Sequence, residues 1–224
     1  MKKPLRILLI RHGESEGNVN PQAYLKKGDQ HIELTPKGIM QAAQMGHFLA
    51  RHLQAVDEKK WPLFYVSGYK RPQQTLGHAL KSFNYGTENV LFKGKPQIYT
   101  DSRLAEHFFG AINFLNHAPL SKAETAIANF LLKASEAVFK NDRLTAKALY
   151  GESYLDKITH VKGFIDGSLQ RDINEGHDTI VLVAHGRVIT AFLAAWFHVP
   201  FNQIKEKINN PDNCDVIEVA GEPQ

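Results

Sequence analysis

Leu5-Arg6-Ile7-Leu8-Leu9-Ile10-Arg11-His12-Gly13-Glu14-Ser15-Glu16-Gly17-Asn18, near the start of the 224-residue chain, opens on an apolar run and ends in a polar, glycine-bearing turn. A short, nearly continuous apolar run of this kind reads as a strand buried on both faces, the mark of a parallel sheet covered by helices. Arg11 and His12 then stand at the strand's carboxyl end, the edge where ligands bind in open α/β sheets. The same order recurs late in the chain: Ile180-Val181-Leu182-Val183-Ala184 runs into His185-Gly186 and then into a helical pattern. If both strands are central and parallel, the two histidines emerge side by side although they lie near opposite ends of the chain. A glycine after each histidine is expected to let backbone N–H groups approach an anion, and a helix starting near Arg187 adds a favourable dipole.

Between these runs the pattern alternates. Leu63 to Ser67 is a third buried strand, and helices are predicted after Thr35-Pro36, over Lys70 to Phe83, Ser121 to Phe139, Ser153 to about Ile173 and Arg187 to about Phe197. Thr35 is a natural N-cap before a proline whose missing N–H costs nothing at the first helical position. Ile39, Ala43, Gly46, Ala50 and Leu53 then mark one face of that helix, and its small residues imply close packing on the sheet. Strands alternating with helices predict an α/β fold: a doubly wound, mostly parallel sheet with helices on both faces. The expectation is one domain over residues 1–224, in which the strandless stretch from about Phe108 to Gly151 forms a small helical cap insertion over the sheet's edge.

Composition narrows the class. A 43% apolar content supports a substantial core, and the single cysteine, Cys214, allows no intrachain disulfide, which points to the cytoplasm. Cys214 itself reads as a small buried residue near the last strand. The apolar run from Leu5 is too short for a signal-peptide core or a membrane span. A net charge of +4 and a pI near 9.0 suit an anionic ligand, but the cations are scattered and no nucleic-acid recognition motif occurs.

Two further segments supply chemistry. Ser67-Gly68-Tyr69-Lys70-Arg71-Pro72-Gln73-Gln74-Thr75 puts Arg71 in the first turn of a helix just past the strand, so that Arg11 and Arg71 can converge. Guanidinium groups grip phosphate oxygens bidentately and stay charged at every working pH. Asp101 to Gly110 places Glu106 in a partly apolar loop, where a carboxyl can serve as a proton donor.

As a set, Arg11-His12-Gly13, Leu34-Thr35 with Gly38 and Gln41-Ala42, the Ser67 to Thr75 segment, Leu104-Ala105-Glu106, Gly151-Glu152-Ser153 and His185-Gly186 resemble the histidine phosphatase superfamily, also called the phosphoglycerate-mutase-like family. Order and spacing agree from about Leu5 to Val219, and the Gly13 to Asn18 run is most similar to a phosphatase-type branch. The resemblance implies that His12 is a nucleophile forming a phosphohistidine, with no cofactor and no metal. It implies that Arg11, Arg71 and His185 neutralise the transferring oxygens, that Asn18 and the Gly186 backbone hydrogen-bond the phosphoryl group, and that Glu106 protonates the leaving alkoxide and then deprotonates water. The partner is a small phosphorylated substrate, with neither nucleic acid nor membrane.

Blander readings are kept for the rest. The histidines other than His12 and His185 are taken as structural, and Gly151-Glu152-Ser153 as a helix start capped by Ser153. Two alternative functions are a phosphoglycerate mutase and a catalytically degenerate phospho-ligand or protein-binding module. Against the mutase, Gly17 stands where cofactor-dependent mutases usually carry tryptophan, His107-Phe108-Phe109 replaces their Arg-His-Tyr, and their long insertion after Gly110 is missing. Against the degenerate module, all five candidate catalytic residues are retained. With Phe108, Phe109 and Phe114 in a short cap, broad activity on small phosphomonoesters is expected.

Overall fold

The computed structural model describes residues 5–58, 60–83, 92, 94–110, 119–142, 144–148 and 150–221. Five strands, β1 (Arg6–Arg11), β2 (Leu63–Val66), β3 (Ile98–Thr100), β4 (Thr179–Ala184) and β5 (Val216–Ala220), form one sheet in the order β3-β2-β4-β1-β5. The first four run parallel, and β5 closes the edge antiparallel to β1. The two His-Gly strands are therefore neighbours at the centre, with Arg11 opposite Ala184.

Residues alternate between the two faces of these strands, and each face has its own core. Ile7, Leu9, Tyr65, Leu182 and Ala184 meet α6 (Tyr154–Phe164) and α8 (Gly186–Trp196) through Phe164, Val188 and Phe192. On the other face Leu8, Ile10, Phe64, Val66, Val181 and Val183 meet α3 (Pro36–Ala55) and α4 (Lys70–Phe83) through Leu49, Leu53, Leu76 and Phe83. At about 1.5–3 kcal/mol for each fully buried large aliphatic or aromatic side chain, these double-sided strands are the rigid base on which the loops at their carboxyl ends stand.

The remaining helices are α1 (Glu16–Val19), α2 (Ala23–Lys27), α5 (Lys122–Asn141), α7 (Gln170–Asn174) and α9 (Phe201–Lys207). The expected helix after Ser153 is present, capped by the Ser153 hydroxyl, and passes through a π-helical turn at Ile165–Leu169 before α7. Thr35 caps α3 as expected, its hydroxyl accepting the Gly38 N–H at 3.0 Å. The buried stripe of α3, however, is Gly38, Ala42, Met45, Gly46, Leu49, Ala50 and Leu53, and Ile39 is 37% exposed. The stripe is set one residue earlier because Gly38 abuts the Glu14 carbonyl, and Gly46 lies against the Ala79 backbone of α4. The small residues thus bring α3 close to α4 rather than to the sheet. In the 108–151 stretch, α5 begins at a Ser121 capping box and buries little beyond Ala128; the expected contribution of Phe114 falls outside the described residues.

Candidate active site

His12 and His185 leave the sheet at the ends of β1 and β4, and their rings meet edge to face with centroids 5.2 Å apart. Both are buried, at 3% and 0% exposure. The His12 ring donates from Nδ1 to the Gly13 carbonyl at 2.8 Å, since a carbonyl can only accept. That bond leaves Nε2 unprotonated, and its lone pair accepts the Nε–H of Arg71 at 3.2 Å. Burial first, and then the Arg71 guanidinium, push the His12 pKa down to about 3, so the ring is neutral across the working range. On His185, Nε2 pairs with the Ser67 hydroxyl at 2.9 Å, and Ser67 Oγ also accepts the Tyr69 N–H at 3.4 Å. Where the serine donates to Nε2, the His185 proton sits on Nδ1. That atom is buried without a hydrogen-bond partner, 3.6 Å from Oε2 of Glu106. Burial keeps His185 neutral as well, well below an ordinary histidine pKa.

Arg71 is 2% exposed in the first turn of α4, and its Nη1 donates to the backbone and carboxylate oxygens of Asp29 at 2.7 and 2.8 Å. Arg11 donates from Nη1 to the Pro211 carbonyl at 2.7 Å, while its Nε is buried without a partner. Two buried donors, one on Arg11 and one on His185, thus lack a protein acceptor at the same strand ends. A buried polar group left unmatched costs about 1–3 kcal/mol, which is tolerated where a ligand supplies the match. An anion with several oxygens fits this cluster.

Glu106 stands in the loop after Ser102–Leu104, with one carboxylate oxygen on the amide of His107 at 2.8 Å. Burial raises its pKa, outweighing the His107 amide and the Arg71 guanidinium, which pull it down. The loop is fixed from below. The buried Lys157 of α6 donates to the Ala105 carbonyl at 2.9 Å and pairs with Glu152 at 3.2 Å; Glu152 accepts the Phe108 N–H at 3.1 Å. Gly151-Glu152-Ser153 therefore does more than cap a helix, because its glutamate ties down the segment that carries Glu106. His107, taken as structural, is buried beside Phe109, and burial with nearby Arg187 lowers its pKa to about 4.

The fold brings His12, Arg71, His185 and Glu106 together and sets Arg11 beneath them. The Asn18 side-chain oxygen accepts both the amide and the hydroxyl of Ser15, which leaves the hydrogens of its amide nitrogen for another acceptor. Gly13 departs from the expectation. Its N–H donates to the Thr75 hydroxyl at 3.0 Å, and an added Cβ would strike the Gly38 carbonyl at 2.6 Å, so packing rather than anion contact requires that glycine. Gly186 likewise lies against the Asn210 side chain, with its amide at the first turn of α8. Residues not singled out from sequence are Asp29, Lys157 and Asn213, whose amide holds the His12 carbonyl at 2.8 Å. Ser67 was read only as part of a motif. A cavity of about 400 Å³ opens beside Arg71, lined by Gly28, Asp29, Gln30, His31, Tyr69 and Phe108.

A buried pair of neutral histidines, a guanidinium and a carboxyl of raised pKa thus meet at the carboxyl edge of an α/β sheet. Residues 7–224 match the model of the histidine phosphatase superfamily (branch 1), and the chain belongs to that superfamily, whose members are phosphatases or mutases. The chain is 31% identical to the phosphoglycerate mutase-like protein AT74 of Arabidopsis thaliana, over 95% of this chain and 64% of that relative, so it spans just under two thirds of the relative's length. It is 29% identical to the broad-specificity phosphatase YOR283W of Saccharomyces cerevisiae, over 84% of this chain and 69% of the relative. Among solved structures, the mycobacterial glucosyl-3-phosphoglycerate phosphatase Rv2419c superposes with a TM-score of 0.63 at 20% identity, covering 96% of this chain and 92% of the other. At that identity the likeness speaks for the fold.

Proposed function

We propose that the protein is a metal-independent phosphatase that hydrolyses small phosphomonoesters through a phosphohistidine on His12. The observation that carries this reading is the His12 ring, locked by Gly13 in the tautomer whose Nε2 lone pair meets the Arg71 guanidinium at 3.2 Å. In the first step Nε2 attacks phosphorus, the bond from phosphorus to the leaving oxygen breaks, and Glu106 gives its proton to that oxygen. In the second, Glu106 takes a proton from water, the water oxygen attacks phosphorus, the P–N bond breaks and inorganic phosphate leaves. Arg11, Arg71 and the Nδ1–H of His185 offset the charge on the transferring oxygens, with further hydrogen bonds from the Asn18 amide and the Gly186 backbone.

Glu106 suits both halves of this cycle because burial raises its affinity for the proton that the leaving oxygen takes and water returns. The cavity beside Arg71 suits neutral leaving groups: among the described residues its lining has two aromatic rings, Tyr69 and Phe108, and no lysine or arginine for a second anionic group. That favours a phosphatase over a phosphoglycerate mutase, which must hold a carboxylate. Within the single domain, residues 108–151 act as a short cap that adds little selectivity. With one cysteine and hence no intrachain disulfide, the enzyme belongs in the cytoplasm.

The test is phosphate release without added metal from para-nitrophenyl phosphate and a panel of phosphorylated metabolites. Turnover of several unrelated esters is expected. Strict dependence on one sugar phosphate, or transfer between positions of phosphoglycerate without release, contradicts the reading.

A further inference from the structure

We infer that Asp29 is a positioning residue for phosphoryl transfer: by occupying the Nη1 end of Arg71 it aims the Nε and Nη2 edge of the guanidinium at the phosphorus that His12 attacks. The inference rests on the phosphatase reading and adds a residue to it.

A guanidinium offers two hydrogen-bonding edges. The side edge pairs Nε–H with one hydrogen of Nη2, and the end edge pairs Nη1 with Nη2. In this site Nη1 has two acceptors from a single residue, the Asp29 carbonyl at 2.7 Å and its carboxylate at 2.8 Å, which together use both Nη1 hydrogens. Nε meanwhile points at His12 Nε2. Only the side edge is thus presented to the position in line with the nucleophile. The Arg71 Cζ lies over the Tyr69 ring, 5.2 Å from the ring centroid, which limits tilting out of that plane.

The local chain is built to hold Asp29 still. Gly28 takes φ 73°, a left-handed conformation open to glycine, and a short 3-10 turn follows over Asp29–His31, with the His31 N–H on the Gly28 carbonyl at 3.1 Å. On either side Lys27 bridges Glu16 at 2.7 Å and Glu33 at 3.1 Å. A carboxylate set so near a phosphate site would otherwise repel the substrate. Its fixed bond to the far end of Arg71 makes it a tether of the clamp rather than a rival for it.

The experiment measures kcat and KM on para-nitrophenyl phosphate, the affinity for inorganic phosphate by calorimetry, and Tm, for the wild type, Asp29→Ala and Asp29→Asn. Asparagine keeps a side-chain oxygen that accepts from Nη1, whereas alanine leaves Nη1 the backbone carbonyl alone and loosens the guanidinium. The expected result is a fall in kcat/KM of about 100-fold for alanine, the scale of an ångström-sized misplacement, with weaker phosphate binding, and recovery to within about tenfold of wild type for asparagine. Tighter phosphate binding in either variant would mean that Asp29 competes for Arg71, and unchanged phosphate affinity with only a lowered Tm would make it structural; both overturn the inference. If alanine does not fold, Asp29→Leu, which fills the site without an acceptor, takes its place: a fall in kcat/KM and in phosphate affinity supports the tether, and wild-type values refute it. A wild type that binds phosphate but releases none contradicts the phosphatase reading instead, and the binding arm still reads Asp29.

Discussion

Replacing Ser67 with alanine should disable His185 without moving it. The hydroxyl is fully buried, accepts the Tyr69 N–H and pairs with His185 Nε2 at 2.9 Å. His185 is itself 0% exposed, so removing the hydroxyl leaves a ring nitrogen buried without a partner. That omission costs about 1–3 kcal/mol, and the ring can recover part of it by shifting its proton to Nε2. The Nδ1–H would then vanish from the phosphate side, where Glu106 stands at 3.6 Å. A hydrogen bond to a charged phosphoryl oxygen is worth about 1.5–3 kcal/mol, so its loss lowers kcat/KM by between about 13-fold and about 160-fold. Nitrogen chemical shifts of the imidazole rings report the tautomer, and steady-state kinetics on para-nitrophenyl phosphate report the consequence. A Ser67→Ala protein that keeps its Nδ1–H signal and its kcat/KM would falsify the tautomer argument.

Glu106→Gln should slow alkyl phosphates by about 100-fold or more while sparing para-nitrophenyl phosphate, since a stable phenolate hardly needs a proton; equal losses on the two substrates remove Glu106 from the acid role. Stability should fall in acid through the buried histidines. His12 has a folded pKa of about 3 against an ordinary 6.5, and His107 one of about 4, so the unfolded chain binds the extra protons. The stability is therefore fully present above about pH 6.5 and is lost as pH falls towards 3, and Tm measured across that window should flatten in His12→Gln. A variant with the same acid dependence as the wild type contradicts the assignment of a buried neutral His12.

The centre of the fold was legible in the sequence because β1 and β4 are buried on both faces, and such strands must be apolar at nearly every position. The edges were not. β3 has three residues, all exposed, and β5 carries Glu218 on an edge where only Val219 is fully buried, so neither shows the continuous signal of a central strand. The site divides in the same way. His12 and His185 stand directly after buried runs, and Arg71 directly after β2, which made their meeting predictable from topology. Asp29 and Asn213 act through bonds between remote loops, and their neighbours in sequence are polar, so no local pattern marks them. Lys157 lay inside an ordinary helical pattern, and only the fold shows that its amine is buried under Glu106. The Gly13 expectation failed for a related reason: a glycine after a strand is required equally by a ligand and by a close backbone, and here the Gly38 carbonyl is the close neighbour.

The most direct test of the central claim is a rapid-quench experiment with a labelled phosphomonoester, followed by peptide mapping under alkaline conditions that preserve phosphohistidine. Label on the peptide containing His12, formed as fast as the first turnover and missing in His12→Ala, is the predicted result. Turnover with no labelled enzyme, or label that persists in the His12→Ala protein, would contradict the account.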